Sequence, residues 1–290
     1  MSGRLSVIAS ITDPGNPGRP NEDRLGHNKD SAFIFDGATG LGDRQFMDGY
    51  GSDASWIAEF AMHRMEQKLD CAADPKTVLR EISEEARDAF LSVAGEQPRY
   101  TWPAASLTAL RSTGSGFQYF GLGDSCLYIL HDDGQSDFAI PIPGAYEWEQ
   151  FQAAKHIARL GGIGAIGAAN ADPTTLADLR ASRARQNMPG GLTWTFGIVP
   201  EAADHLVIID VPLQGGGATA LLCSDGLADL VALYKAHDAG SLVRHARDQG
   251  LASLVEELRH FERVIDPDGL RYPRFKQSDD TTAILLRLEP

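Results

Sequence analysis

Two apolar runs in this chain end on an acid followed by glycine: Ala32-Phe33-Ile34-Phe35 leads into Asp36-Gly37, and Ala220-Leu221-Leu222-Cys223-Ser224 leads into Asp225-Gly226. A carboxylate at the end of a buried strand can ligate a hard cation or take part in proton transfer. The Asp-Gly pair alone says less, because it is also a strong hairpin signal and occurs five times here. Asp133-Gly134 separates the strand-like stretches 127–130 and 138–140 and reads as a hairpin turn, and Asp48-Gly49 and Asp268-Gly269 fall in polar loops. Asp36 and Asp225 differ because a loop or a helical pattern follows each, not a returning strand.

Further acids stand in similar places: Glu22-Asp23 after a proline-rich loop, Asp124 in Gly121-Leu122-Gly123-Asp124-Ser125, Asp229 one helical turn beyond Asp225, and Asp279-Asp280 before the last apolar run. Taken one by one they suit separate turns and helix caps. If the fold gathers them, a cation is required, since a pair of carboxylates about 4 Å apart costs on the order of 4 kcal/mol at an effective dielectric of 20. All-oxygen ligands, with no paired cysteines or histidines at metal-ligand spacing, favour Mg²⁺ or Mn²⁺ over zinc.

With 290 residues, 43% hydrophobic and 23% charged, the chain can bury a large core. A net charge of -14 argues against nucleic acid and anionic membrane as partners. There is no apolar run of membrane-spanning length, and Met1-Ser2-Gly3-Arg4 does not open a signal peptide, so a cytoplasmic protein is expected. Cys71, Cys126 and Cys223 are odd in number and distant in sequence, and are expected to be reduced thiols in apolar settings.

The elements that must position the acids follow from periodicity. Strands are expected at 6–11 and 32–35, then helices at 52–69 and 75–93, with Ser52 and Asp74-Pro75 as helix starts. Strand patterns at 106–110, 116–122, 126–130 and 138–142 read as an antiparallel meander. A helical stretch, 146–187, is interrupted by the glycine run 161–167, which lacks the Lys-Ser/Thr ending of a phosphate loop and reads as a hinge. Strands at 192–199, 206–211 and 218–223, helices at 227–234 and 241–261, and a strand at 283–288 complete the order. Because it is not alternating βα, an α+β arrangement of antiparallel sheets packed together with helices outside is expected.

The ordered series Asn21-Glu22-Asp23, Phe35-Asp36-Gly37, Gly123-Asp124-Ser125, Cys223-Ser224-Asp225-Gly226-Leu227-Ala228-Asp229 and Asp279-Asp280-Thr281-Thr282 resembles the metal-dependent serine/threonine protein phosphatases of type 2C, in particular bacterial members. The resemblance runs from about residue 6 to 288. It implies a single domain over 1–290, built as a four-layer αββα sandwich of two central antiparallel sheets flanked by helical layers, with a variable flap at about 146–190. It implies two Mg²⁺ or Mn²⁺ ions and a third, weaker one. Asp36 would bridge the pair, with the Gly37 carbonyl on one ion; Asp225 and Asp279 would complete one shell, and Glu22 would serve the other ion. Asp124 and Asp229, with Asp225, match the third site, and Asp23 and Asp280 match positions that orient ligands. The implied reaction is hydrolysis of phosphoserine or phosphothreonine in a phosphorylated protein by a metal-bridging hydroxide. The enzyme is expected to act as a monomer.

The chain departs from that pattern in four places. Arg19, the candidate for gripping substrate phosphate, stands one residue closer to Glu22-Asp23 than usual, and Arg24 or Arg44 are substitutes. Ala38 follows Asp36-Gly37 where eukaryotic members carry a histidine. Pro103-Ala104-Ala105-Ser106 replaces the usual start of a central strand. The flap is long, and Arg183 and Arg185 within it are candidates for binding an acidic phosphopeptide. These departures leave open a pseudophosphatase, a folded module binding phosphoprotein without turnover, and the same site would also suit a small phosphate ester.

Overall fold

The computed structural model describes residues 3–164, 166–191, 193–213 and 216–290. Among them, two antiparallel sheets face each other. The first places β1 (Arg4–Asp13), β11 (Thr281–Glu289), β10 (Ala218–Cys223), β6 (Cys126–His131) and β7 (Ser136–Ala139) side by side. The second places β2 (Arg24–His27), β3 (Ser31–Gly37), β4 (Ala104–Thr113), β5 (Gly116–Leu122) and β9 (Val207–Val211) together, with the short β8 (Phe196–Gly197) against β4.

The central strands are apolar on both faces because each face is covered, and the period of two sorts their side chains. On β3, Ala32 and Ile34 pack between the sheets with Leu222, Ile284 and Leu286, whereas Phe33 and Phe35 turn outward. There they meet α1 (Asp53–Lys68) and α2 (Pro75–Ala94) through Ile57, Met65 and Ile82. On β10 the inner residues are Ala220 and Leu222. The outer Leu221 and Cys223 pack on α5 (Asp225–Ala232), α6 (Ala239–Gln249) and α7 (Leu251–His260) through Leu227, Leu242 and Leu254. Three apolar cores thus separate four layers, in the expected α-β-β-α order. No helix among the described residues is long and apolar enough to cross a membrane.

The helix starts follow the expected chemistry: Ser52 accepts from the Ser55 N–H and Asp74 from the Thr77 N–H, with Pro75 opening α2. Several expectations are corrected. The meander is not one sheet, because β4 and β5 form a hairpin in the second sheet and β6 and β7 a hairpin in the first, so the chain crosses at 123–125. Local turn signals do not reveal that crossing, since β5 and β6 are as closely spaced as hairpin partners. The expected helix 241–261 is two helices, broken at Gly250, whose φ of 90° ends α6 and turns the chain into α7. Of the strand expected at 192–199, Phe196–Gly197 is extended; Leu192 lies outside the described residues. The strand β2 was not expected. Its Gly26 interrupts the apolar pattern and lies against Phe33. Cys71 is exposed, contrary to expectation, whereas Cys126 and Cys223 are buried on paired strands with their sulfurs 3.6 Å apart.

The segment after β7 contains α3 (Ala145–Leu160) and α4 (Pro173–Arg183). The glycine run between them terminates α3 at Gly161 in the left-handed region and then packs down: Ile163 is fully buried, and its N–H donates to the Asp268 carbonyl. It is an anchored turn, which the hinge reading did not anticipate. Ala165 lies outside the described residues.

The five Asp-Gly pairs divide by what their glycines do. Gly49, Gly134 and Gly269 have φ of 90°, 89° and 66°, so they serve turns. Gly37 and Gly226 have ordinary φ but no room for a Cβ, which would lie 2.5 Å from the Glu22 carbonyl at Gly37 and 2.3 Å from the Asp280 carbonyl at Gly226. These two glycines permit close backbone approach, and each brings a second acid-bearing segment against its own aspartate. Gly37→Ala and Gly226→Ala are therefore expected to destabilise the protein by about 1–3 kcal/mol or more through forced backbone displacement. Gly134→Ala, in open space, should cost only about 1–2 kcal/mol for its left-handed backbone. Urea denaturation of the three variants checks that order.

Candidate metal centre

The acids meet where the ends of the two sheets converge. Asp36 is the penultimate residue of β3 in the second sheet, and Asp225 opens α5 directly after β10 in the first. The Asp225 N–H points at Asp36 Oδ2 across 3.4 Å. Its own carboxylate sits at a helix N-terminus, where the aligned peptide dipoles favour negative charge. Asp124 occupies the crossing between β5 and β6. Ser106 Oγ accepts from the N–H groups of Asp124 and Ser125 at 2.9 and 2.8 Å, and Ser125 Oγ donates to Asp36 Oδ2 at 3.2 Å. Ser106 ends the segment Pro103-Ala104-Ala105-Ser106, so the altered strand start still organises this turn.

One carboxylate oxygen from each of Asp36, Asp124 and Asp225 lies within 4.8 Å of the others. Asp229 and Asp279 line the same cleft, which has a volume of about 650 Å³. Glu22 and Asp23 are buried, 8% and 3% exposed, and are not among the residues that line it. Glu22 accepts from Ser52 Oγ at 2.6 Å and Thr39 Oγ1 at 2.5 Å, and its carbonyl accepts from the Gly37 N–H at 3.2 Å. Asp280 accepts from the N–H groups of Glu22 and Gly15, which ties the first acidic loop to the last. Arg19 is exposed in the turn that its N–H closes onto the Asn16 carbonyl, and it is not part of the cleft wall. Of its substitutes, Arg24 is engaged with Glu59, Ser55 and the Asn21 and Asp23 carbonyls, and Arg44 packs over Phe46.

Three groups facing the cleft belong to no motif. Lys276 donates to Asp279 Oδ1 at 2.6 Å; burial opposes its charge, but Asp279, Glu22 and Asp225 together hold the ammonium firmly protonated. Glu149 on α3 lines the cleft while its residue surface stays exposed; the protein crowded around it and the charges of Asp124 and Asp279 push its carboxyl up. Arg183, near the end of α4, is half-buried beside Ala38, whose carbonyl its Nη1 approaches at 3.5 Å. Glu22 and Asp124 both act on its charge. Lys276, three residues before Asp279, had some visibility as a cation beside a candidate ligand. Glu149 had none, since an acid in a surface helix is unremarkable until the helix docks. The docking is specific: Tyr146 donates to the Asp124 carbonyl, Arg180 binds the Leu41 carbonyl and Asp43, and the Ala169 N–H donates to the Phe275 carbonyl.

The fit to divalent metal can be judged from the donors themselves. They are all oxygens, they crowd one another, and Asp23 Oδ2 is buried with no hydrogen-bond partner among the described residues. Burial foremost, and then mutual repulsion, raise Asp36, Asp124 and Asp225 above the usual carboxylate range and bring Asp23 to about 7. Hard dications with oxygen preference suit this set, with Asp36, Asp124 and Asp225 nearest and Asp229 and Asp279 within the same cleft.

Solved structures share this fold. A PPM Ser-Thr phosphatase from Mycobacterium smegmatis, in complex with cacodylate, is 19% identical, with 97% of this chain and 98% of that one covered at a TM-score of 0.54. The serine/threonine phosphatase PstP/Ppp of Mycobacterium tuberculosis is 15% identical over 100% of both chains, with a TM-score of 0.54. A PstP catalytic domain in complex with two manganese ions is 16% identical, covering 100% of this chain and 99% of the other at a TM-score of 0.51. The fold is that of the PPM serine/threonine phosphatases. No protein-family model and no curated protein sequence matches the chain.

The raised carboxyls carry a definite sign. Between about pH 4 and pH 7 the native metal-free protein holds more protons on these groups than the unfolded chain does, so its stability falls as pH rises through that window. In chelator the melting temperature is expected to be higher at about pH 5 than at about pH 7.5, and Mn²⁺ should restore it at the higher pH. Asp36→Asn, by removing one charge, should raise the metal-free melting temperature at about pH 7.5 and reduce the response to Mn²⁺. Thermal scans with chelator and with metal measure both effects.

Proposed function

We propose that this protein is a metal-dependent phosphatase of the type 2C family that removes phosphate from phosphoserine or phosphothreonine in proteins. The observation that carries this reading is the convergence of Asp36, Asp124 and Asp225 within 4.8 Å at the floor of a cleft that Asp229 and Asp279 also line. Two Mg²⁺ or Mn²⁺ ions bound there would activate water as a nucleophile and neutralise the phosphoryl oxygens. In the assignment that follows from the family resemblance, Asp36, the Gly37 carbonyl, Glu22, Asp225 and Asp279 hold that pair, and Asp124 and Asp229 with Asp225 hold a third ion.

The chain's own residues account for the remainder. Glu22 is oriented by Ser52 and Thr39, and its backbone by Asp280, so that its loop stays against β3. Arg183 takes the phosphate-gripping role that Arg19 is too exposed to fill. Its guanidinium lies beside Ala38 at the acids with few protein partners, and its planar donors suit two phosphoryl oxygens. Segment 146–190 acts as the flap that supplies it. A protein substrate is favoured over a small ester by exposed aromatic surface on α3: Trp148, 60% exposed, lines the cleft, and the neighbouring Phe151 is 54% exposed with its ring 6.1 Å away. Such a platform can hold side chains flanking a phosphorylated residue but offers little to a small aliphatic phosphate ester.

Asp36→Asn and Asp225→Asn are expected to abolish Mn²⁺-dependent hydrolysis of both a phosphopeptide and an aryl phosphate while circular dichroism stays unchanged. Retained turnover in both would overturn the phosphatase reading, and a wild-type protein that binds Mn²⁺ yet hydrolyses no phosphoester would favour the pseudophosphatase. Arg183→Ala should lower kcat/KM by about 10–100-fold on either substrate, the worth of a charge-assisted phosphate contact. Arg19→Ala should leave it nearly unchanged. Trp148→Ala should raise KM for the phosphopeptide and spare a small aliphatic phosphate ester, which separates protein recognition from chemistry.

A further inference from the structure

The sequence carries no paired histidine spacing, yet the outer helical layer brings two histidines and a glutamate together. His237 ends the turn after α5, His245 lies in the middle of α6, and Glu257 lies on α7. One ring nitrogen of each histidine and one carboxylate oxygen of Glu257 stand within 4.8 Å of one another. His237 Nε2 is 2.9 Å from Glu257 Oε2, and the two imidazoles meet edge to face with centroids 5.2 Å apart. All three residues are half-buried, so solvent reaches the group.

Each member is held by its own element. The turn bearing His237 closes with the Ala236 and His237 N–H groups donating to the Leu230 carbonyl, and Lys235 adopts a left-handed φ of 54° within it. Asp238, the next residue, caps α6 with a reciprocal Ser241 contact. Ser253 Oγ, one turn before Glu257 on the same face of α7, bonds His245 Nε2 at 3.0 Å. Gly250, with φ of 90°, sets the reversal that makes α6 and α7 neighbours.

We propose that His237, His245 and Glu257 form a binding site for a borderline transition-metal dication, zinc in the first instance, separate from the acidic cleft. Two imidazoles and one carboxylate, with a fourth position left to water, are a donor set that zinc takes in tetrahedral geometry. Mg²⁺ and Ca²⁺ prefer all-oxygen sets, so the two sites differ in the ion they select. Bonds of about 2.0–2.1 Å put tetrahedral ligand atoms about 3.3 Å apart, so ligand atoms now within 4.8 Å of one another would have only a short distance to close on binding. Binding would replace the His237 Nε2–Glu257 hydrogen bond, its proton leaving to solvent. The ion joins the α5–α6 turn to α6 and α7, the layer whose first helix begins with Asp225. This inference does not rest on the phosphatase reading.

The test uses the full chain in an Asp36→Asn, Asp225→Asn background, in which the acidic cleft is disabled. Calorimetric titration with Zn²⁺ is expected to show one equivalent, and Co²⁺ in its place to give the visible absorption of a four-coordinate ion. His245→Ala and Glu257→Ala in that background should each weaken Zn²⁺ binding by at least about tenfold and remove the Co²⁺ bands. Excess Zn²⁺ should raise the melting temperature of the background protein by several degrees and leave the variants unmoved. His245→Gln, which keeps a polar side chain of similar length, serves if the alanine variant fails to fold. The proposal is overturned if Zn²⁺ stoichiometry and affinity are the same with and without His245, or if no Zn²⁺ binds the background protein.

Discussion

Asp36, Asp124 and Asp225 repel one another across less than 4.8 Å in a partly desolvated cleft, and the architecture has to hold them there against that repulsion. Each comes from a segment with little freedom. Asp36 ends a strand paired through Asp36↔Ser106, Asp225 starts a helix on a strand buried on both faces, and Asp124 sits in a turn fixed by Ser106. The apolar contact of Ala32 and Ile34 with Leu222 and Ile284 clamps the two sheets together. Burial of this inter-sheet layer, at about 1.5–3 kcal/mol per large side chain, offsets the charge strain below it. The acids are therefore a cost borne by the core, and a bound dication would relieve that repulsion.

Hydrogen bonds and two glycines refine what the core imposes. Gly37 and Gly226 leave room for the Glu22 and Asp280 carbonyls, so the first and last acidic loops lie directly against the strand and the helix that carry Asp36 and Asp225. Asp280 links those loops by accepting from Gly15 and Glu22. The result is a centre in which distant parts of the chain, from residue 22 to residue 280, share one small volume. Cys126 and Cys223, each two residues from a cleft aspartate, fill the space beneath with sulfur contacts in place of larger side chains.

The segment of α3 and α4 gives the cleft its individual character. It docks through Tyr146 on the Asp124 turn, Arg180 on the loop after β3, and the 167–169 backbone on residues 275–277. That docking carries Glu149 and Arg183 to the acids and leaves Trp148 exposed where it lines the cleft. Lys276, bonded to Asp279 from the loop this segment packs against, partly neutralises the cluster. Cation placement in this cleft is thus a property of the α3–α4 segment and the loop it packs against more than of the sheets.

Much of this was legible in the residues alone. Strand ends at Asp36 and Asp225, helix starts at Ser52 and Asp74, and the apolar faces of α1 and α2 follow from local rules: alternation, capping chemistry, and carboxylates where apolar runs stop; that the acids gather was implied only by the ordered family resemblance. Which Asp-Gly pairs are turns and which are close contacts was not legible, because the same dipeptide serves either a left-handed φ or an absent Cβ, and only neighbours distant in sequence distinguish them. The same holds for the crossing at Asp124, for Arg183 standing at the cleft while Arg19 does not, and for His237 meeting His245 and Glu257. Local propensity determined the elements and the residue types available for chemistry. Tertiary packing decided which charges became neighbours, since electrostatic and ligand interactions act over a few ångströms in space between residues that the chain separates by up to hundreds of positions.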